Sequence, residues 1–246
     1  MFNFFNAEKV PEKDVYLIKD KDFNHIKNVL RMKIGEQILV SNNNCSDLCE
    51  ITEFTNEMVI ASIIEKNYAD TSLPIELHLF QGLPKSDKME FIIQKTVELG
   101  VTSITPIQMQ RSIVKLDQKS SVSKIARWQS ISESAAKQSK LSFIPKVNDL
   151  SNFKLAIEDA KKFDHIIIPY ECKNGMQDTK SALSKIKSGD KIAVFIGPEG
   201  GFDQSEIEQA LLNGAVTVSL GKRILRTETA AITAISMFML YAEMNL

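Results

Sequence analysis

Hydrophobic positions change their rhythm once along the chain. Over residues 1–70 they come in short runs cut by polar turns. Residues 22–30 have helical spacing, with Phe23, Ile26 and Leu30 on one face and Asn24, Lys27 and Arg31 on the other. Lys33-Ile34-Gly35-Glu36 predicts a turn, residues 37–41 a strand, Asn42-Asn43-Asn44 a loop tip, and residues 47–52 and 58–65 further strands. This is the pattern of a small β-barrel. Residues 68–74 mark the boundary. Beyond it, strands over 75–81, 103–107, 165–169, 192–196 and 217–220 alternate with helices over 88–99, 124–139, 153–161, 205–213 and 229–243. The 88–99 helix turns Met89, Ile92, Ile93 and Val97 inward and stops at Gly100. The 124–139 helix places Ile125, Trp128, Ile131 and Ala135 on one face. Apolar strands alternating with helices predict an α/β domain on a largely parallel sheet.

Composition fits two soluble domains. The 246 residues are 43% hydrophobic and 25% charged, and chains of this size often divide. Met1-Phe2-Asn3-Phe4-Phe5 is too short, and lacks the basic residues, for a secretory signal. The longest apolar stretch, 230–242, is interrupted by Thr233 and Ser236 and falls short of the roughly 20 residues a membrane span needs. It predicts a buried helix and no membrane partner. Three cysteines, Cys45, Cys49 and Cys172, are an odd number without a regular framework. They predict reduced thiols and a cytoplasmic location. No Cys or His pair follows Cys45 and Cys49 at ligand spacing, so no metal is expected, and both read as strand residues facing a small core.

The net charge of −1 says nothing for nucleic acid, but its distribution does. Over residues 84–146, nine Lys and two Arg stand against two Asp and three Glu, a net of +6 that leaves −7 elsewhere. A basic middle in an acidic chain suits an anionic partner. On charge alone, a solvated lysine-rich surface explains it as well.

Two strand-to-helix junctions carry the candidate chemistry. The apolar strand 192–196 runs straight into Gly197-Pro198-Glu199-Gly200-Gly201-Phe202, after which Asp203 and Glu206 form a predicted capping box. Ligands of parallel sheets bind at the carboxyl ends of strands, and glycines there let backbone amides approach closely. The loop matches neither the dinucleotide fingerprint nor the P-loop. The second junction is Leu220-Gly221-Lys222-Arg223-Ile224-Leu225-Arg226-Thr227-Glu228-Thr229-Ala230-Ala231, with Thr227 and Thr229 as possible helix caps. Two such loops in neighbouring units would face each other across one crevice.

The pair G-P-E-G-G and L-G-x-R-I-L-R-T-E-T-A resembles the signature of the SPOUT methyltransferases that form N3-methyluridine in 16S ribosomal RNA, the RsmE family. The resemblance extends through Lys88-Met89-Glu90-Phe91-Ile92-Ile93-Gln94-Lys95 and Glu98-Leu99-Gly100-Val101, then Thr105-Pro106, Arg111-Ser112, Trp128 and Ala135-Ala136-Lys137-Gln138-Ser139. His25 and Val29-Leu30-Arg31 resemble the motif of the family's N-terminal domain. Nearly the whole chain is covered in order. Three departures stand out: Leu141 and Phe143 where the family usually has basic residues, Gln110 where an acid often precedes the Arg, and Asn43-Asn44 for a common Asp-Gly turn.

The resemblance implies a PUA-like β-barrel over residues 1–70, for RNA binding, and a SPOUT domain over 73–246 with a deep trefoil knot. It implies a homodimer with the last helix near the interface, and S-adenosylmethionine as cofactor. The residues that would hold the cofactor are Pro169, Tyr170, Ile196, Gly197, Pro198, Glu199, Gly200, Gly201, Leu220, Gly221, Ile224, Leu225 and Thr227. The implied substrate is uridine 1498 of 16S rRNA, within the 30S subunit, contacted by Arg31, Lys27, Lys88, Arg111 and Arg223. Arg226 is the first candidate to stabilise the uridine anion, and Glu228 a candidate base whose alternative is to orient Arg226 or cap the helix.

Lysine outnumbers arginine 25 to 5, yet Arg31, Arg111, Arg127, Arg223 and Arg226 all fall in or beside these segments. A chain that prefers Lys places Arg where a planar fork is needed; for Arg127, covering a packing surface is the simpler expectation. Two alternatives stay open at this point: a SPOUT enzyme acting on tRNA or a ribose 2′-hydroxyl, and an RNA-binding assembly factor without catalysis.

Overall fold

A computed structural model of the chain describes residues 1–5, 7–42, 45–170 and 175–246. The loop tip at Asn43 and Asn44, and Cys172, lie outside the described residues. The chain divides into two compact units: Met1–Ser72 with Ala136–Ile144, and Leu73–Ala135 with Pro145–Leu246.

The first unit is a six-stranded sheet. Its strands are β1 (Asn3–Phe4), β2 (Ala7–Val10), β3 (Val15–Lys19), β4 (Gln37–Asn42), β5 (Cys45–Phe54) and β6 (Met58–Ala69), in the order β1-β4-β5-β6-β3-β2. Only the β1–β4 pair is parallel. The long β5–β6 pair shifts register between Ser46 and Leu48, Leu48 and Cys49, and Ile51 and Glu53. Such irregularities bend a strand pair and increase its twist. The concave core gathers Phe4, Tyr16, Ile18, Ile26, Ile38, Val40, Cys49, Ile51, Val59 and Ala61. Phe23 and Leu30 pack against it as their spacing predicts, but the helix is irregular. Helix α1 (Asp20–Asn24) opens into a wider turn, His25–Val29, where the Leu30 N–H donates to the His25 carbonyl at 2.8 Å.

Ala136–Ile144 returns to this unit through specific bonds. Asn3 Nδ2 donates to the Leu141 carbonyl (2.8 Å), the Ser142 N–H donates to Thr71 Oγ1 (3.1 Å), and Lys137 pairs with buried Asp22 at 2.9 Å. Leu141 is only 4% exposed. The apolar residue found where the family carries a base is therefore a core residue here.

The second unit holds a parallel sheet in the order β10-β8-β7-β12-β11-β13, with β9 also paired to β8. The strands are β7 (Glu76–Gly82), β8 (Ser103–Gln108), β9 (Lys146–Val147), β10 (Ser151–Asn152), β11 (His165–Pro169), β12 (Lys191–Ile196) and β13 (Val216–Val218). Every pairing is parallel. Central β12 is paired on both edges, by β7 and β11, and the alternating residues Ile192, Ala193, Val194 and Phe195 are all 0% exposed, so both of its faces are covered. Phe80 and Phe195 stack across the β7–β12 pair, with ring centroids 4.5 Å apart.

The helices are α2 (Lys88–Glu98), α3 (Gln118–Ser139), α4 (Phe153–Asp159), α5 (Met176–Leu183), α6 (Gln204–Leu212) and α7 (Thr227–Asn245). Helix α3 starts six residues before its expected start, and α5 was not predicted at all. Helix α7 packs on α2 and on the β7 and β12 strands through Ala231, Ala234, Ile235, Phe238 and Ala242, all fully buried. Among the described residues no helix is long and apolar enough to cross a membrane.

Candidate functional site: one cleft at the carboxyl edge of the sheet

Parallel strands in register deliver their outgoing loops to one edge. Gln81 of β7 lies beside Ile196 of β12, and Pro169 of β11 beside Val218 of β13. The loops beyond these strands surround one cleft of about 1010 Å³. Its lining includes Pro169, Tyr170, Ile196, Gly197, Pro198, Glu199, Gly200, Gly201, Leu220, Gly221, Ile224, Leu225 and Thr227, together with Lys88, Arg111, Arg223 and Arg226. The sequence reading placed all thirteen first-named residues at one cofactor, and they do come together. Lys27 and Arg31 lie in the first unit. Both are exposed; the Lys27 ammonium sits 5.0 Å over the Phe23 ring, and Arg31 adopts φ +53°.

The wall formed by residues 197–201 is held from several sides. Gly201 takes φ +69°, a region that favours glycine, and its N–H donates to the Pro198 carbonyl at 2.9 Å. A Cβ on Gly200 would meet Arg111 Cβ at 3.0 Å and the Arg111 carbonyl at 3.1 Å. Arg111 itself donates to the Gly200 carbonyl (3.4 Å) and to Asp203 (3.2 Å). Asp203 and Glu206 form the expected capping box on α6. Glu199 Oε1 accepts from the Lys85 N–H and from Lys88 Nζ, each at 3.0 Å. Burial pushes the Glu199 carboxyl up, but these two donors outweigh it and hold it below the usual carboxylate range.

Thr227 corrects an expectation. It is not a cap: α7 begins at Thr227, its N-cap position is Arg226, and no side chain caps it. The buried Thr227 hydroxyl instead donates to the Gly197 carbonyl (2.7 Å) and accepts from Gln81 Nε2 (2.9 Å). This chain of bonds ties the end of β7, the glycine loop and the start of α7 together. Sequence reasoning missed Gln81 and Gly82, although Gln81-Gly82 ends a strand beside β12 and the same strand-end rule would have flagged them. A Cβ on Gly82 would stand 2.7 Å from the Pro198 nitrogen.

The opposite wall, residues 220–226, is freer. Lys222, Arg223 and Arg226 are exposed, and Ile224 is 99% exposed. Among the described residues the side chains of Arg223 and Arg226 have no hydrogen-bond or ion-pair partner. Glu228 neither orients Arg226 nor caps the helix: its Oε2 lies 3.4 Å from Lys88 Nζ. Arg127 pairs with Glu90 at 2.7 Å, away from the cleft lining.

Glycine backbone beside apolar Ile196, Leu220 and Leu225 suits a flat heterocycle and a polar tail, and the volume suffices for a nucleoside-sized ligand. Exposed guanidinium groups on one side suit an anionic second substrate.

Comparison with known proteins agrees with this geometry. Residues 71–239 match a family model described as an RNA methyltransferase domain, and residues 18–53 one described as an RNA methyltransferase PUA domain. The chain is 37% identical over 233 residues to ribosomal RNA small subunit methyltransferase E of Bacillus subtilis, covering 93% of this chain and 91% of that protein. It is 36% identical to the protein of the same name from Mesomycoplasma hyopneumoniae, covering 94% and 96%. Among solved structures, the ribosomal RNA small subunit methyltransferase E of Neisseria gonorrhoeae, bound to S-adenosyl methionine, superposes with TM-score 0.80 at 31% identity, covering 98% of this chain and 97% of that one.

Proposed function

The chain belongs to the ribosomal RNA small subunit methyltransferase E family, and from that premise we propose that it methylates N3 of uridine 1498 in 16S rRNA, using S-adenosylmethionine, in the cytoplasm. The observation that carries this reading is the convergence of three strand-end loops on one cleft, with Arg226, whose guanidinium has no partner among the described residues, on its wall. The cleft's residues fit the cofactor. The glycine loop and the backbone at Leu220, Gly221 and Leu225 would hold it, and when bound it supplies a methyl group on a sulfonium. The non-catalytic alternative does not explain why the expected cofactor residues gather on one cleft beside an Arg226 that has no side-chain partner among the described residues.

N3 of uridine carries a proton and lies on the pairing edge. The base must therefore be unpaired and turned into the cleft, and the proton must leave before the nitrogen lone pair can attack. Arg226 would stabilise the resulting anion; among the described residues no carboxylate pairs with its guanidinium. Glu228 stands one residue from Thr227 and is a candidate to take the proton. Arg223, likewise without a side-chain partner among the described residues, offers a second cation for RNA phosphate. We also propose that the enzyme works as a homodimer through α7, which leaves Leu240 46% and Met244 73% exposed.

Calorimetric titration with S-adenosylmethionine tests the cofactor, and the absence of any binding heat overturns the reading. Mass mapping of 16S rRNA from a deletion strain tests the target. N3-methyluridine should disappear at position 1498; its persistence would assign the modification to another enzyme.

A further inference from the structure

Lys88 stands where an RNA-contacting cation was expected, yet its charge is already engaged. Its Nζ lies 3.0 Å from Glu199 Oε1 and 3.4 Å from Glu228 Oε2. The two carboxylates come from different elements: Glu199 from the glycine loop, Glu228 from the first turn of α7. Lys88 opens α2. One ammonium thus joins three elements at the cleft. The position is costly for a lysine, because the partial positive charge of a helix N-terminus disfavours a cation. Two adjacent carboxylates remove that cost.

The need runs in the other direction too. Glu228 Oε2 is shut off from solvent and makes no hydrogen bond among the described residues. A carboxylate oxygen in that state needs a compensating charge nearby, and Lys88 provides it. Lys88, Glu199 and Glu228 together carry a net charge of −1, which repels phosphate rather than attracting it. The ammonium is also held more firmly in its charged form, chiefly by the bond to Glu199.

We propose that Lys88 is a positioning residue: it fixes Glu228 and the glycine loop relative to each other at the cleft, and does not bind RNA phosphate. This rests on the reading that the cleft holds S-adenosylmethionine. The consequence is that a single residue couples cofactor grip to the placement of the candidate base.

The test compares Lys88→Met and Lys88→Arg in the full chain, with S-adenosylmethionine and 30S subunits as substrates. Lys88→Met should lower kcat at least about tenfold and weaken cofactor binding several-fold. The Kd for 30S particles, and its salt dependence, should stay within about twofold of the original. Lys88→Arg keeps the charge and should recover most of kcat. In a Glu199→Gln, Glu228→Gln background, Lys88→Met should cost little more. A phosphate contact gives the opposite result: unchanged kcat, weaker RNA binding, and a slope of log K against log salt smaller by about one. That result, or full additivity with the Gln variants, overturns the proposal.

Hydrogen exchange at the Gly201 amide gives a readout that needs neither ligand. It should quicken at least about fivefold in Lys88→Met and in Glu199→Gln, and not in Lys88→Arg. If Lys88→Met fails to fold, the other two variants still decide. A parent protein that bound no cofactor would overturn the proposed function, while this exchange comparison would still judge Lys88. Unchanged exchange in Glu199→Gln would overturn the positioning role.

Discussion

The two walls of the cleft are built on opposite principles. The glycine wall is tied down on every side: Thr227 on the Gly197 carbonyl, Lys85 and Lys88 on Glu199, Arg111 on the Gly200 carbonyl and Asp203, and a capping box behind it. The 220–226 wall presents Arg223, Ile224 and Arg226 to solvent with no side-chain partner among the described residues. Polar groups satisfied within the protein fix a shape, whereas unsatisfied ones are available to a ligand. On the proposed function, the first wall would shape the cofactor, while the second, whose backbone would also hold it, would turn its free guanidinium groups to the substrate.

The sharpest break of that comparison is Arg226→Ala. With the cofactor bound normally but the uridine anion unsupported, kcat should fall by about 10²–10³-fold, while the calorimetric Kd for S-adenosylmethionine changes less than about threefold. A large affinity loss would move Arg226 into the cofactor's own shell and dissolve the division between the walls. Gly200→Val is the mirror image. Its Cβ would press on the Arg111 Cβ at 3.0 Å and on the Arg111 carbonyl at 3.1 Å, so the loop must shift, and cofactor affinity should drop by roughly tenfold or more, as for other overpacked sites. Normal cofactor affinity in this variant would show that the glycine wall does not shape the ligand.

What was legible in the sequence follows the same line. The central strands were readable because residues 192–196 are uniformly apolar and strands covered on both faces must be so. Their end loops were readable because two such junctions, 197–201 and 220–231, occur together and resemble one family signature; a glycine turn alone serves a tight strand-to-helix connection equally well. Helix α5 was not, since its fully buried residues are only Thr179 and Ala182, and two small side chains leave no apolar stripe. The return of Ala136–Ile144 to the first unit was equally invisible, because it depends on Asn3, Thr71 and Asp22 meeting residues more than sixty positions away. Thr227 shows how local rules mislead: a hydroxyl at a helix start is ordinarily a cap, but here a tertiary carbonyl competes for it and wins. Lys88 and Arg111 were expected to contact RNA, and nothing in the sequence showed the carboxylates that pair with them, because sequence shows charges without their partners.

Arg223→Ala sharpens the free wall with a smaller effect. An unpartnered guanidinium on phosphate contributes one released counterion, so the slope of log K against log salt should shrink by about one. Affinity for 30S particles at moderate salt should fall a few-fold with kcat at saturation unchanged. Filter binding across a salt series measures it, and an unaltered slope would exclude phosphate contact at this position.

The smallest expected effect is one of pH, and it separates the walls without mutation. The Glu199 and Asp203 carboxyls are both held low, and both brace the glycine wall. Burial opposes this at Glu199, where the Lys88 and Lys85 donors outweigh it; at Asp203 the Ser205 hydroxyl and N–H lead, with Arg111 adding to them. A carboxylate whose pKa is depressed by folding stabilises the folded loop above its unfolded value, about 4. That contribution is lost as pH falls through the folded value. Protection factors for the Gly201 amide should therefore decline below about pH 4, by a few-fold before global unfolding, while Gly221 on the other wall, which has no carboxylate brace among the described residues, should keep its protection over the same range. Parallel loss at both glycines would mean that the walls soften together, and that the carboxylates do not account for the difference between them.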